Sequence, residues 1–285
     1  PSARNGWRTW SREPPNDRTV GAEAAMRTPR ILVVNDDGWN GAGLHPLLEA
    51  LSPLGRVWAV VPERERSAES HCLTLHKPLR AREVRRGVFL VNGSPADCAR
   101  LGVCELMRGR VDALVSGINQ GYNLGEDVVY SGTVAGALEG AMLGVPSIAV
   151  SRGLSDKGRR HGRGAWALED FSGAAQYARR ICALALRRML PPGVCLNVNV
   201  PPSPPASLRG ARVTRLGNRV YAKKVTVHRD PRGVPYYWLA SRVVSRPAQP
   251  GTDVEAMREG LVSITPLHPD NTHARALKLL KSWDL

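Results

Sequence analysis

Two carboxylates stand side by side in Asn35-Asp36-Asp37-Gly38, directly after the apolar run Ile31-Leu32-Val33-Val34. The run has the length and β-branched content of a buried strand. In open α/β sheets, ligands bind in the crevice outside the carboxyl ends of the strands. Adjacent like charges repel, and the repulsion falls when a cation sits between them. One reading is therefore a divalent-metal site at the C-terminal edge of a sheet. The other is a turn, because Asp-Gly is a common turn dipeptide and Asp often caps the next helix.

Three further segments place small oxygen-bearing residues just after predicted strands. They are Pro62–Ser67, Ser116–Gly125 and Tyr130–Gly136. In a parallel sheet they converge on the same edge as Asp36 and Asp37. Ser, Asn and Asp are hard oxygen ligands that suit Mg²⁺ or Mn²⁺, and neither a His pair nor a Cys pair stands near them at zinc spacing. Ser131-Gly132-Thr133 opens a predicted helix. Alone it reads as an N-cap; beside the carboxylate pair it reads as a phosphate cradle, since helix N-termini offer free N–H groups and a positive dipole end. His45, His71 and His76 read as structural or surface residues and Asp97 as a helix cap, while Glu126 and Asp127 are candidates to line a cleft. Cys72 and Cys98 read as small core residues. The sequence holds no G-x-S-x-G and no P-loop.

These residues need a βα framework, and the chain supplies its rhythm. Strands are predicted at 30–35, 56–61, 87–92, 111–116, 147–151 and 194–200, and helices at 44–52, 95–107, 132–143 and 168–189. Alternation of this kind implies an α/β fold, Rossmann-like, with a mostly parallel sheet covered by helices on both faces. After residue 203 the stretches 211–216, 219–228 and 235–243 are β-like, with the turn Asp230-Pro231-Arg232-Gly233 between two of them, which predicts a hairpin extension. A last strand is expected over 260–265 and a helical tail over 272–282. The expected organisation is an N-terminal extension over 1–29, poorly ordered, an α/β catalytic core over 30–203, and a segment over 204–285 that completes the core and the oligomer interface.

Composition sets outer bounds. The 285 residues carry 42% hydrophobic residues, a net charge of +15 and five cysteines without a C-x-x-C pair. No apolar run reaches the roughly 18 residues a membrane span needs. The cysteine pattern and the lack of a signal-type apolar stretch predict a reducing, cytoplasmic setting and no membrane partner. The charge comes mostly from dispersed Arg, which reads as a solvated surface that draws in anions. No stable nucleic-acid complex is expected, although a nucleotide- or RNA-binding protein without turnover is the alternative that the charge allows.

The ordered motifs V-N-D-D-G, P-E-R-E-R-S, L-T-L-H-K-P-L, S-P-A-D-C, V-S-G-I-N-Q-G-Y-N-L-G and Y-S-G-T-V-A-G-A resemble those of the SurE family, the survival-protein-E 5′-nucleotidases. N-V-N-V-P-P, D-P-R-G-V-P-Y-Y-W and G-T-D-V-E-A-M-R-E-G-L-V-S-I-T-P-L are similar too, so the likeness runs from about Arg30 to Thr272. It implies a metal-dependent phosphomonoesterase acting on nucleoside 5′-monophosphates, with 3′-monophosphates and short polyphosphate left open. It implies one divalent ion per subunit, Mg²⁺ or Mn²⁺, held by Asp36, Asp37, Ser67 and Asn119, with both aspartates catalytic. It sets Asn35, Asn123, Ser131, Gly132 and Thr133 around the substrate phosphate, and it implies a homo-oligomer, dimer or tetramer, built with the hairpin. Two stretches depart from the family's frequent pattern: His71-Cys72 stands where Asn-Ser is often found, and Ser94-Pro95-Ala96 where Thr-Pro-Thr is.

Overall fold

The structure, a computed structural model, describes residues 27–155, 169–219, 225–239 and 247–283. Most of the expected N-terminal extension, the start of the predicted helix at 168 and parts of the stretches 219–228 and 235–243 lie outside the described residues.

The core strands are β1 (Arg30–Val34), β2 (Arg56–Pro62), β3 (Ala81–Arg85), β4 (Val88–Val91), β5 (Ala113–Gln120), β6 (Ser147–Arg152), β7 (Cys195–Val200), β8 (Ala211–Val213) and β11 (Val262–Leu267). They form one nine-stranded sheet in the order β3-β4-β2-β1-β5-β6-β7-β11-β8. From β4 to β7 every neighbour is parallel; β3 on β4 and β11 on β7 are antiparallel. The helices are α1 (Leu44–Leu51), α2 (Pro95–Leu101), α3 (Gly132–Met142), α4 (Ser172–Ala185), α5 (Asp253–Arg258) and α6 (Ala274–Leu280). The predicted hairpin forms separately as antiparallel β9 (Thr226–Arg229) and β10 (Pro235–Trp238).

Strand β1 shows why its sequence is apolar at every position. Ile31 and Val33 pack with Leu44, Leu47 and Leu51 of α1 and with Ala174, Ala178 and Ile181 of α4. Leu32 and Val34 face the opposite way, onto Cys98 and Ala99 of α2 and onto Val103 and Met107. Successive side chains alternate between the two faces, and helices cover both, so a continuous apolar run is what this strand requires.

Helix α3 lies close to the sheet because Gly132, Gly136 and Gly140 share one of its faces. A Cβ on Gly136 would stand 3.0 Å from both Ser116 Oγ and Val34 Cγ2, and one on Gly140 would stand 2.4 Å from Ser147 Oγ. The spacing of four residues keeps the three glycines on one stripe.

Some boundaries differ from expectation. β5 runs to Gln120, four residues beyond its predicted end, because the sheet resumes after a register shift between Ser116 and Asn119 and pairs Asn119 with Ser151. The helix expected over 95–107 changes character after Leu101, widening into a π-helical turn over Gly102–Leu106. β3 and α5 were not anticipated: β3 is an exposed, charged edge strand and α5 a six-residue helix capped by Thr252.

The loop after β1 packs without space for side chains. A Cβ on Gly43 would lie 2.2 Å from the Ile118 carbonyl oxygen, a backbone atom that cannot rotate aside. Gly43→Ala is expected to destabilise the protein by about 1–3 kcal/mol, read as a lower denaturant midpoint at unchanged m-value. An unshifted midpoint would show that this approach of the loop to β5 is not needed.

Candidate active site

Asp36 leaves the end of β1 and is 4% exposed. Its Oδ1 accepts the Thr133 hydroxyl at 2.5 Å and its Oδ2 accepts the Thr133 N–H at 3.1 Å. Gly132 permits this contact, because a Cβ there would sit 3.0 Å from Asp36 Cβ. The Asp36 carbonyl accepts the Arg66 N–H at 2.7 Å, which brings the segment after β2 to the same place. Asp37 Oδ2 accepts the Gln120 N–H at 3.3 Å, which ties the pair to the end of β5. The C-terminal ends of β1, β2 and β5 and the start of α3 therefore meet around the carboxylates, at the edge where the sequence analysis places them.

The remaining sequence candidates take distinct positions. Ser67 follows Arg66 and donates to Glu65 Oε1 at 2.9 Å. Asn119, next to last in β5, donates its Nδ2 to the Gly121 carbonyl at 2.9 Å, leaving its Oδ1 for another partner. Asn35 turns back on its own loop: its amide donates to the Gly38 carbonyl at 2.8 Å and accepts the Gly38 N–H at 3.2 Å. Asn123 is buried and donates to Ser151 Oγ at 2.7 Å. Asn35 thus fixes the loop that carries the carboxylates, whereas Asn123 is tied to β6 and β7 through Ser151, Asn197 and Asn199. Ser131 is an N-cap, accepting the Val134 N–H at 3.0 Å. With Thr133 N–H given to Asp36, the first turn of α3 leaves the Gly132 N–H and the Ser131 hydroxyl proton for a ligand. The cap and cradle readings of this segment are thus compatible, and the free donor set is smaller than three residues.

The electrostatics follow from burial. Among the described residues neither Asp36 nor Asp37 has a basic side chain within ion-pair distance. Burial raises the Asp36 carboxyl above the ordinary value, against the pull of its Thr133 hydrogen bonds. Burial, and then the charge of Asp36, push the Asp37 carboxyl up to about 7. No group of three His, Cys, Asp or Glu side chains that could hold a metal forms among the described residues. The donor set here is two carboxylates with neutral hydroxyl and amide oxygens. That set fits a hard divalent cation, which would supply the positive charge the pair lacks, and it fits no soft metal.

Several residues of this region were not anticipated. Gln120 acts on Asp37 through both its backbone N–H and its side chain, and nothing in its local sequence singles it out. Asn197 and Asn199 hold the Asn123 carbonyl through their amides at 2.8 and 3.0 Å; their signal was two Asn at alternate positions of a buried strand. Glu139 of α3 is 1% exposed and binds His71 Nε2 at 2.8 Å and Arg100 at 2.6 Å, so His71 is a structural partner as expected. Asp97 completes a capping box with Ser94 and also accepts from Thr74. Glu126 and Asp127 bond Arg219. Cys98 is buried as predicted, but Cys72 is exposed, which corrects its reading as a core residue.

The raised value of Asp37 carries a stability consequence for the metal-free protein. Its folded value of about 7 lies above the ordinary 3.8, so the unfolded chain releases this proton first. Folding stability from this group then falls as pH rises from about 4 to about 7 and stays lower above that. Asp37→Asn removes the loss. In chelator it is expected to raise the thermal midpoint at pH 8 by at least about 2 °C, the shift that about 1 kcal/mol gives in a chain of this size, with little change at pH 4.5. A lower midpoint at pH 8 would contradict the burial of an unpaired charge.

Comparison with known proteins identifies the family. The family model described as survival protein SurE matches residues 31–223. A 5′-nucleotidase SurE of Geobacter metallireducens is 46% identical over 255 residues, covering 90% of this chain and 97% of its own. A 5′-nucleotidase SurE of Moorella thermoacetica is 47% identical over 248 residues, covering 85% of this chain and 91% of its own. The crystal structure of the SurE protein from Aquifex aeolicus superimposes with a TM-score of 0.77 at 40% identity, covering 89% of this chain and 98% of that one. With its doubly covered parallel sheet and its carboxylate pair at the strand ends, the chain belongs to the survival protein SurE family.

Proposed function

We propose that this protein is a metal-dependent 5′-nucleotidase that hydrolyses nucleoside 5′-monophosphates to nucleoside and phosphate. The observation that carries the reading is the contact of Asp36 with Thr133. It sets an unpaired carboxylate pair directly against the start of a helix that favours anions. A bare carboxylate pair repels phosphate, so the arrangement makes sense for a phosphate ester only with a cation between. Relatives named 5′-nucleotidase SurE support the same substrate class.

Asp36, Asp37, Ser67 and Asn119 are the residues we assign to hold one divalent ion, Mg²⁺ or Mn²⁺. When bound, such an ion supplies Lewis-acid polarisation of a phosphoryl oxygen and acidifies a water. The chain's own groups do the rest. Thr133 fixes Asp36 through both oxygens, so that carboxylate is positioned before substrate arrives. Gly132 N–H and the Ser131 hydroxyl meet the phosphate and stabilise charge on the transferring group, with Asn35 and Asn123 shaping the surrounding backbone. Asp37, held by Gln120 alone, is the carboxylate we assign to orient the attacking water. Water attacks phosphorus, the ester P–O bond breaks, and the nucleoside leaves with its hydroxyl reprotonated.

We also assign the homo-oligomer contact, dimer or tetramer, to the β9–β10 hairpin. It exposes Val227, Tyr236, Tyr237 and Trp238, an apolar patch that a second copy would cover. Tyr237→Lys with Trp238→Lys is expected to shift sedimentation toward the monomer; unchanged sedimentation would place the contact elsewhere. The five free cysteines support the reducing setting of the cytoplasm. No helix among the described residues is long and apolar enough to cross a membrane.

A phosphate-release screen tests the activity. Nucleoside 5′-monophosphates should release phosphate with Mg²⁺ or Mn²⁺ and not with chelator. Asp36→Asn and Asp37→Asn should each lower kcat by about 100-fold or more while the folded signal in circular dichroism persists. Nucleotide binding that survives chelator without phosphate release would overturn the reading in favour of a binding protein without turnover.

A further inference from the structure

One carboxylate is buried more completely than the site pair and takes no part in the phosphate chemistry. Asp253, the first residue of α5, has no exposed surface. Its Oδ2 accepts the Gly125 N–H at 2.9 Å, and its Oδ1 accepts the N–H groups of Gly217 and of its neighbour Val254, both at 2.8 Å. Gly125 and Gly217 lie 128 and 36 residues away along the chain. Every one of these partners is a backbone donor, so the side chain serves as an acceptor that ties two distant loops to one point.

The two loops have different duties. Gly217 belongs to the segment between β8 and the hairpin, which meets the segment after the hairpin: Arg215 bridges Thr252, and the Asp253 N–H donates to the Arg215 carbonyl at 3.0 Å. Gly125 opens a 3₁₀ turn over Gly125–Val129 that leads, through Tyr130, to Ser131. The loops approach closely. A Cβ on Gly125 would lie 2.4 Å from the Gly217 carbonyl oxygen, and Gly125 has a φ of +53°. Beside it, Glu126 and Asp127 bond Arg219 of the same segment. Asp253 and Arg219 therefore fasten the turn to the chain that precedes the hairpin.

This anchorage bears on Ser131 in particular. The glycine stripe fixes α3 on the sheet, but Ser131 stands outside the helix in an extended conformation, with ψ 121°. Where its hydroxyl sits depends on the chain that precedes it, which is the turn from Gly125 to Tyr130. Asn119 is insulated from that turn, because Asn123 between them is separately bonded to Ser151, Asn197 and Asn199. We propose that Asp253 is a positioning residue for the phosphate cradle: through Gly125 it sets the turn that presents Ser131 to the phosphate, without acting on the metal ligands. The proposal rests on the nucleotidase reading and deepens it, since it makes the segments flanking the hairpin part of the site's support.

Asp253→Asn tests this with little change of shape. The amide keeps one carbonyl oxygen and turns an NH₂ group toward one of the two loops, so the Gly125 and Gly217 N–H groups cannot both be served. In this variant kcat/KM for a nucleoside 5′-monophosphate should fall about tenfold, chiefly through KM. The Kd of inorganic phosphate for the Mn²⁺-loaded protein, read by calorimetry, should rise in step. The Kd of Mn²⁺ alone should stay at the wild-type value, which also checks that the variant is folded. Gly125→Ala pushes the same turn away from Gly217 and should reproduce the effect, and the double variant should add little to either. Three results would each overturn the positioning role: unchanged phosphate affinity in Asp253→Asn, a loss of Mn²⁺ affinity as large as that of phosphate, or additive effects in the double variant. Turnover by the wild-type protein would leave the nucleotidase reading intact in all three. Absence of phosphate release by the wild-type protein would overturn that reading and this role with it.

Discussion

Two carboxylates on successive residues are held at a sheet edge without a basic side chain beside them, and the rest of the site answers to that constraint. At an effective dielectric near 20, two unit charges about 4 Å apart repel by about 4 kcal/mol. That is a large part of the roughly 5–15 kcal/mol that keeps a domain folded. The protein meets it with neutral donors only. Thr133 spends its hydroxyl and its N–H on Asp36, and Gln120 lends Asp37 one N–H. Those bonds orient the charges but do not cancel them, and both carboxyls stay raised toward protonation. An arrangement of this kind is stable in its ionised form with a cation in place.

The framework holds the pair by close approach of backbone. α3 can press its first turn onto Asp36 because its sheet-facing stripe is glycine, the loop after β1 can fold on itself at Asp37 because Gly41 carries no Cβ, and it can press onto Ile118 of β5 because Gly43 carries none. Leu32 and Val34 on one side and Ile31 and Val33 on the other fix β1 between two helical layers. The carboxylates therefore project from one of the most tightly constrained strands of the sheet. A metal site whose ligands are preset in this way loses little conformational entropy on binding.

Much of this was legible in the sequence, for reasons that particular residues explain. Ile31–Val34 declares a doubly covered strand by its unbroken apolar character, and the turn at Asp230–Gly233 declares its hairpin. The glycines and hydroxyls around Ser131 mark a helix start with more than capping to do. What stayed hidden acts through backbone or through partners far along the chain. Gln120 reaches Asp37 from 83 residues along the chain, and the end of β5 depends on pairing with β6, which no local propensity reports. β3 is polar and exposed, so its only reason to be a strand is the edge of β4. Cys72 was misplaced because a small apolar-tolerant residue gives no sign of which side of a loop it faces.

The first turn of α3 shows how little a helix end offers an anion once its donors are committed. Its N-terminus is committed: Ser131 takes the Val134 N–H and Asp36 takes that of Thr133. A helix end with so few donors left is a weak phosphate trap by itself, which places the burden of anion binding on the cation that the carboxylates call for. If the phosphate is bound mainly through charge, any phosphate monoester can satisfy that site. Discrimination then has to come from the part of the substrate that is not phosphate.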